Sequence, residues 1–163
     1  MVKRIVTKIG NIFCAEIDGQ YKCYFQYIAN DLTQLNSSVI RVFKRHYPLS
    51  YVPDFDEIVK DEISFYAHTV LSVGIRLGYW EKVGPHKDIG DIDGILFRLV
   101  EEIEFRHLKK SVRWYIWRIN QPYIFIGELS DKYRKADLGM VYSCMEITHK
   151  IKKGCYSFNY PDE

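Results

Sequence analysis

Ile9-Gly10-Asn11-Ile12-Phe13-Cys14-Ala15-Glu16-Ile17-Asp18-Gly19-Gln20-Tyr21-Lys22-Cys23-Tyr24-Phe25-Gln26-Tyr27-Ile28-Ala29-Asn30-Asp31 is the stretch that decides the fold. Two apolar runs flank Asp18-Gly19. Such a pair is a strong hairpin signal, because a tight primed turn needs positive φ at both central residues. The runs predict strands over residues 8–17 and 20–29. In the second, Tyr21, Cys23, Phe25 and Tyr27 fall on one face and Gln20, Lys22, Tyr24 and Gln26 on the other, since side chains alternate along a strand. One inward apolar face and one amphipathic face suit an antiparallel sheet with one side solvated. A two-residue turn makes Ile17 face Gln20 and sets Cys14 opposite Cys23. The Cα atoms of such a non-hydrogen-bonded pair lie about 4.5 Å apart, near the short end of disulfide reach. The pair reads either as a redox switch or as two small apolar side chains under a core. A reducing cytoplasm disfavours the bond, and a three-residue turn would separate the two cysteines.

Working outward, residues 30–38 read as a loop and 39–43 as a third strand. Residues 47–55, with Pro48 and Pro53, read as an extended connection. Residues 56–61 suit one helical turn. Residues 62–73 fit a strand by their β-branched and aromatic content, with a helix as the competing reading; Gly74 and Gly78 end the segment. A short strand over 79–83 closes at Gly84-Pro85, and 86–94 is a loop. A strand over 95–100 and a charged stretch over 101–110, either irregular or a poor helix, precede a hairpin of 112–119 and 123–127, turning at Asn120-Gln121-Pro122. Ser143-Cys144-Met145-Glu146 matches a capping box and opens a helix. Cys144, Met145, Thr148 and Ile151 are expected on its buried face, Lys150, Lys152 and Lys153 in its last turn, and Gly154 at its C′ position. A short strand over 156–160 is expected to follow. The predicted fold is mainly β: a curved antiparallel sheet or partly open barrel with one C-terminal α-helix, α+β at the margin, in a single domain over residues 1–163.

Composition narrows the function classes. At 163 residues and 47% apolar content the chain can bury a core without staples. Its net charge of +2 argues against a dedicated DNA-binding domain, which normally carries a basic stripe. No signal peptide and no run near the ~20 apolar residues of a membrane span is present, so a cytoplasmic location without membrane contact is expected. Cys14, Cys23, Cys144 and Cys155 form no Cys-x-x-Cys pair, which disfavours zinc and thioredoxin-like chemistry. His46, His68, His86, His107 and His149 are scattered, and no His-Glu-x-x-His, Gly-x-Ser-x-Gly or phosphate-binding glycine loop occurs. His68 reads as a structural histidine. His86, Asp88, Asp91 and Asp93 share one loop that echoes part of a calcium loop without its closing Glu; the competing reading is a turn whose carboxylates cap backbone amides. No metal, no other cofactor and no catalytic residue is assigned. Trp114 and Trp117 are expected on opposite faces of one strand, one of them exposed.

Gly10-Asn11-Ile12-Phe13-Cys14-Ala15-Glu16-Ile17 followed by Asp18-Gly19-Gln20-Tyr21-Lys22-Cys23-Tyr24-Phe25 resembles the opening of the immunity protein 26 family, whose members begin with a Gly-Asp-Ile-Phe-like strand; Asn11 stands for the usual Asp. Gly78-Tyr79-Trp80-Glu81-Lys82-Val83-Gly84 is similar to that family's Gly-x-Trp-x-x-Ile-Gly segment. The resemblance covers the first half of the chain. It implies a bacterial protein, encoded beside a polymorphic toxin, that binds and neutralises that toxin by occlusion. A nuclease is the default toxin.

Charge is locally segregated. Asp54, Asp56, Glu57, Asp61 and Glu62 form one acidic cluster and Glu101, Glu102 and Glu104 another; Arg41, Lys44, Arg45 and His46 form a basic cluster, as do Arg106, Lys109 and Lys110. Each reads either as ordinary solvated surface or as a steering patch for a charged partner. An acidic patch suits the basic substrate site of a nuclease, which makes Asp56, Glu57, Asp61, Glu62, Glu101, Glu102 and Glu104 the candidate partner-binding residues. Phe55, Phe65 and Tyr66 lie near these clusters and fit either anchors or core. Direct nucleic-acid binding is not expected. Two other classes compete: a small β-barrel nucleic-acid binder using Tyr and Arg, and an enzyme whose site is assembled from distant residues.

Overall fold

The computed structural model describes residues 4–101 and 107–161. Its elements are β1 (Asn11–Ile17), β2 (Tyr21–Asp31), β3 (Ser37–Phe43), α1 (Phe55–Ile58), β4 (Ile63–Thr69), α2 (Leu71–Arg76), β5 (Glu81–Pro85), β6 (Leu96–Val100), β7 (Trp114–Arg118), β8 (Ile124–Gly127), β9 (Asp137–Leu138), β10 (Val141–Tyr142) and α3 (Cys144–Lys153). The protein is mainly β, as expected, but the strands make two open sheets and no barrel. The first has the order β10-β4-β3-β2-β1-β5 and the second β8-β7-β6-β9. Pairing is antiparallel except where β10 joins β4 and β9 joins β6.

The opening hairpin forms, with Asp18 and Gly19 at φ 51° and 64°. Its loop holds three residues, because Ile17 pairs with Tyr21 while the Gln20 amide donates to the Ile17 carbonyl at 2.9 Å. That extra residue shifts the register. Cys14 faces Tyr24, Cys23 faces Ala15, and the two cysteines lie on opposite faces of the sheet. All four thiols are free.

The expected solvated face of β2 is also corrected. Tyr24 and Gln26 are as buried as Phe25: the connection from β3 to β4 packs Tyr47, Ile58 and Val59 over Tyr24, while Gln26 donates to the Gly10 and His86 carbonyls and accepts from Arg41. The opposite side carries the main core of Phe13, Phe25, Phe65, Trp80 and Ile147. Residues 62–73 prove to be both predicted structures in succession: strand β4, then the start of helix α2. Gly74 of α2 admits the indole of Trp80, since a Cβ there would come within 2.0 Å of the ring.

Helix α3 starts and stops where the sequence places it. The Ser143 hydroxyl accepts from the Glu146 amide, and Gly154 ends the helix at φ 80°. Its buried face differs: Cys144 and Ile147 point inward and Met145 is 61% exposed, since one residue along a helix is a turn of about 100°. Residues 156–160 form no strand. They run irregularly and bury Tyr156 and Tyr160, with Tyr156 stacked on Tyr142 and Tyr160 against Trp114. Trp114 and Trp117 do point to opposite faces, yet both are fully buried, one beneath this tail and the other against the first sheet.

One carboxylate joins the sheets. At the end of β2, Asp31 Oδ2 receives the Trp117 indole N–H of β7 at 2.8 Å and contacts His68 Nε2 of β4 at 2.9 Å. Its Oδ1 accepts the amides of Asn120 at 3.1 Å and Gln34 at 3.3 Å. Burial acts to raise the Asp31 pKa, but the bonds from His68, Trp117 and Asn120 outweigh it and hold the carboxyl below its usual range. A carboxylate only accepts, so His68 Nε2 carries the proton. His68 is thus buried and bonded through Nε2, while its Nδ1 has no hydrogen-bond partner among the described residues.

Candidate protein-binding surface

The acidic segment is held by the ends of two paired strands. Phe43 of β3 faces Ile63 of β4, and beyond them the Lys44 amide donates to the Glu62 carbonyl and the Arg45 amide to Asp61 Oδ2, each at 2.8 Å. Between them the chain makes α1. Asp54 caps it by accepting the Glu57 amide, while Phe55, Ile58 and Val59 pin it onto Tyr24 and Tyr47. Asp54, Asp56, Glu57 and Glu62 are left exposed and Asp61 half-buried.

The clusters that are separate in sequence are interleaved here. Lys44 pairs with Glu62 at 3.1 Å, and Arg45 pairs with Glu57. The Tyr51 hydroxyl also donates to Glu57 at 2.9 Å; this bond and then Arg45 hold the Glu57 carboxyl below the usual carboxylate range. Asp56, whose side chain is 83% exposed, reaches His86 at 2.9 Å. His46 stacks on Tyr21. The surface is therefore a mixed-charge rim with Val52, 82% exposed, beside it.

Arg41 leaves the basic cluster. It is buried, donates to Gln26 Oε1 at 2.9 Å and to the Asp88 carbonyl at 2.8 Å, and so clamps the 86–94 loop onto the sheet. In that loop the Asp88 and Asp91 carboxylates accept the Gly90 and Asp93 amides at 2.9 and 3.0 Å, as the turn reading expects. Among the described residues, no group of three or more His, Cys, Asp or Glu could hold a metal ion.

Glu101 of the second acidic cluster is not brought to the first. Glu101 follows β6 in the other sheet, where Arg113 donates to it at 2.6 and 3.0 Å. Glu102 and Glu104 lie outside the described residues, as does Arg106. Of the aromatics near the clusters, Phe65 is core and Phe55 and Tyr66 are partly buried.

The segments over 10–25 and 78–84 meet. β1 pairs with β5, Ile12 facing Gly84 and Phe13 facing Lys82. Gly10, at φ 97°, accepts the His86 amide on its carbonyl at 2.9 Å, and a Cβ on Gly10 would come within 2.9 Å of the His86 oxygen. Gly84 lies against the Phe55 ring, where a Cβ would come within 2.5 Å. The 78–84 segment and the histidine just beyond it thus position α1 and Asp56.

Sequence reasoning missed a second surface. Tyr123, Ile124 and Phe125 are 38%, 55% and 59% exposed around β8, with Val112 at 55%. The uncharged run over 123–126 was its only signal, and an uncharged run reads equally well as a buried strand. No family model, curated protein or solved structure matches the chain.

Proposed function

We propose that this chain is a non-enzymatic binding protein that neutralises a cognate bacterial toxin in the cytoplasm by occluding it, as its resemblance to the immunity protein 26 family implies. The observation that carries the reading is the joining of both resemblance segments into one strand pair that seats the acidic helix α1. Gly84 gives Phe55 room, and His86 holds Asp56. On this reading Asp56, Glu57, Asp61 and Glu62 steer a basic toxin, and neighbouring Val52 supplies apolar contact. Glu101, with Glu102 and Glu104, is a second acidic contact region. No cofactor and no direct nucleic-acid contact is needed.

Co-expression with the toxin encoded beside it tests the function. Cells survive, and light scattering shows a stable complex. Failure to rescue overturns the reading. The face is tested with Asp56→Lys and Glu62→Lys at low ionic strength. Losing electrostatic steering slows association by about tenfold or more. Unchanged on-rates remove this face.

A further inference from the structure

Strand β8 is an edge of the second sheet, and its outer side has no backbone partner among the described residues. Natural edges are commonly guarded by charge, proline or a bulge. Ile124-Phe125-Ile126-Gly127 carries no charge and its proline, Pro122, precedes the strand; its one irregularity is a bulge at Ile126, which leaves Ile124 and Phe125 in regular register with β7. The apolar groups at this edge lie on both faces of the sheet. On one face, Ile124 sits opposite Ile116 beside a groove of ≈ 370 Å³ walled by Leu96, Ile116 and Pro122. On the other, Phe125 packs on Tyr115 with Val112 beside it. A docked helix covers one face of a sheet. A strand added at the edge sends side chains alternately to both.

We propose that the added strand is β8 of a second copy, paired antiparallel about a two-fold axis so that two four-stranded sheets become one of eight. The chain itself contains the strand this edge requires, uncharged and apolar on both sides. Near the patch, Glu101 is held by Arg113 at 2.6 Å, whereas Glu128 has its side chain 67% exposed and lies 3.8 Å from Lys110, which leaves it open to a second cation. Arg118 is exposed and has no ion-pair partner among the described residues. Extending the Ile116–Ile124 register places it beside Pro122, at the start of β8, while Glu128 follows the end of the strand. Antiparallel pairing therefore sets Arg118 of one copy toward Glu128 of the other, twice per dimer. The exposed apolar side chains offer on the order of 400 Å² per copy, about half of a standard interface, so the dimer is weak and reversible. This inference does not depend on the toxin-neutralising reading.

Sedimentation velocity of the whole chain between about 1 and 500 µM tests it, a range that brackets micromolar association. A reversible dimer is expected. Phe125→Asp abolishes it, and because Phe125 is 59% exposed the variant keeps its circular dichroism and melting temperature. Arg118→Glu weakens the dimer about tenfold or more, the scale of a lost charge pair at an interface. Adding Glu128→Arg to that variant restores it. A monomer at every concentration overturns the proposal, and so does a dimer indifferent to Phe125→Asp. A monomer that instead takes up an apolar strand peptide at β8 also overturns it, by identifying a different occupant.

Discussion

Asp31→Asn should cost about 3–5 kcal/mol, because it orphans a buried donor and removes the charge from hydrogen bonds worth about 1.5–3 kcal/mol each. Asp31, His68 and Trp117 are fully buried, so water cannot replace lost bonds. Each carboxylate oxygen faces two groups: His68 and Trp117 on one side, the amides of Asn120 and Gln34 on the other. An asparagine presents one oxygen and one NH2 group, so in either orientation two partners face a donor. If the NH2 faces His68, that ring can move its proton to Nδ1, which has no partner, and accept instead. The Trp117 indole cannot accept, so at least one buried donor stays orphaned, at about 1–3 kcal/mol. Loss of charge on the remaining bonds adds the rest. Urea unfolding followed by tryptophan fluorescence reads the cost. With a slope of about 1–3 kcal/mol per molar, the midpoint falls by roughly 2 M. The native Asp31 carboxyl is held below its usual pKa, so its stabilisation is present above the unfolded value near 3.9 and is lost as pH falls through the native one. The variant lacks that acid-sensitive component. A loss under about 1 kcal/mol at neutral pH, within the range of ordinary surface changes, would refute the idea that this carboxylate ties the sheets together.

Asp137 behaves in the opposite sense: burial pushes its carboxyl up to about 6, against the Tyr66 amide, Lys150 and Arg98, which lower it. Between the unfolded value of about 3.8 and the native one, the folded state holds a proton that the unfolded chain has released, so this group's contribution to stability falls as pH rises through that window. Asp137→Asn should therefore raise stability at pH 7.5 by about 1–2 kcal/mol and flatten the slope between pH 4 and 6; destabilisation with an unchanged slope would contradict this. Burial raises the Cys14 thiol and pushes Cys23 up to about 12, while Cys155 alone is exposed. A thiol reagent should thus titrate one cysteine quickly in the native protein and all four after unfolding without reductant, and a deficit after unfolding would revive a disulfide.

Local chemistry made much of the fold legible. Asp18-Gly19 marks a hairpin because both residues tolerate positive φ, and the Ser143 cap and Gly154 stop bound α3 because they satisfy orphan backbone groups. The hairpin register was not legible, since one added loop residue turns every later side chain to the other face. The candidate surface was half legible. Its acids stand out in sequence, but their pairing with Lys44, Arg45 and His86 does not, because those partners arrive from other elements.

The sequence alone determined a mainly β domain with a capped C-terminal helix, because alternation and capping are signals carried by neighbouring residues. Only the tertiary structure decided that there are two sheets, that β2 is buried on both faces, that Asp31 bridges the sheets, and that β1 and β5 jointly seat α1. The physical reason is common to all four. Burial and hydrogen bonding are settled between residues distant in the chain, and neither composition nor periodicity records which distant partner arrives.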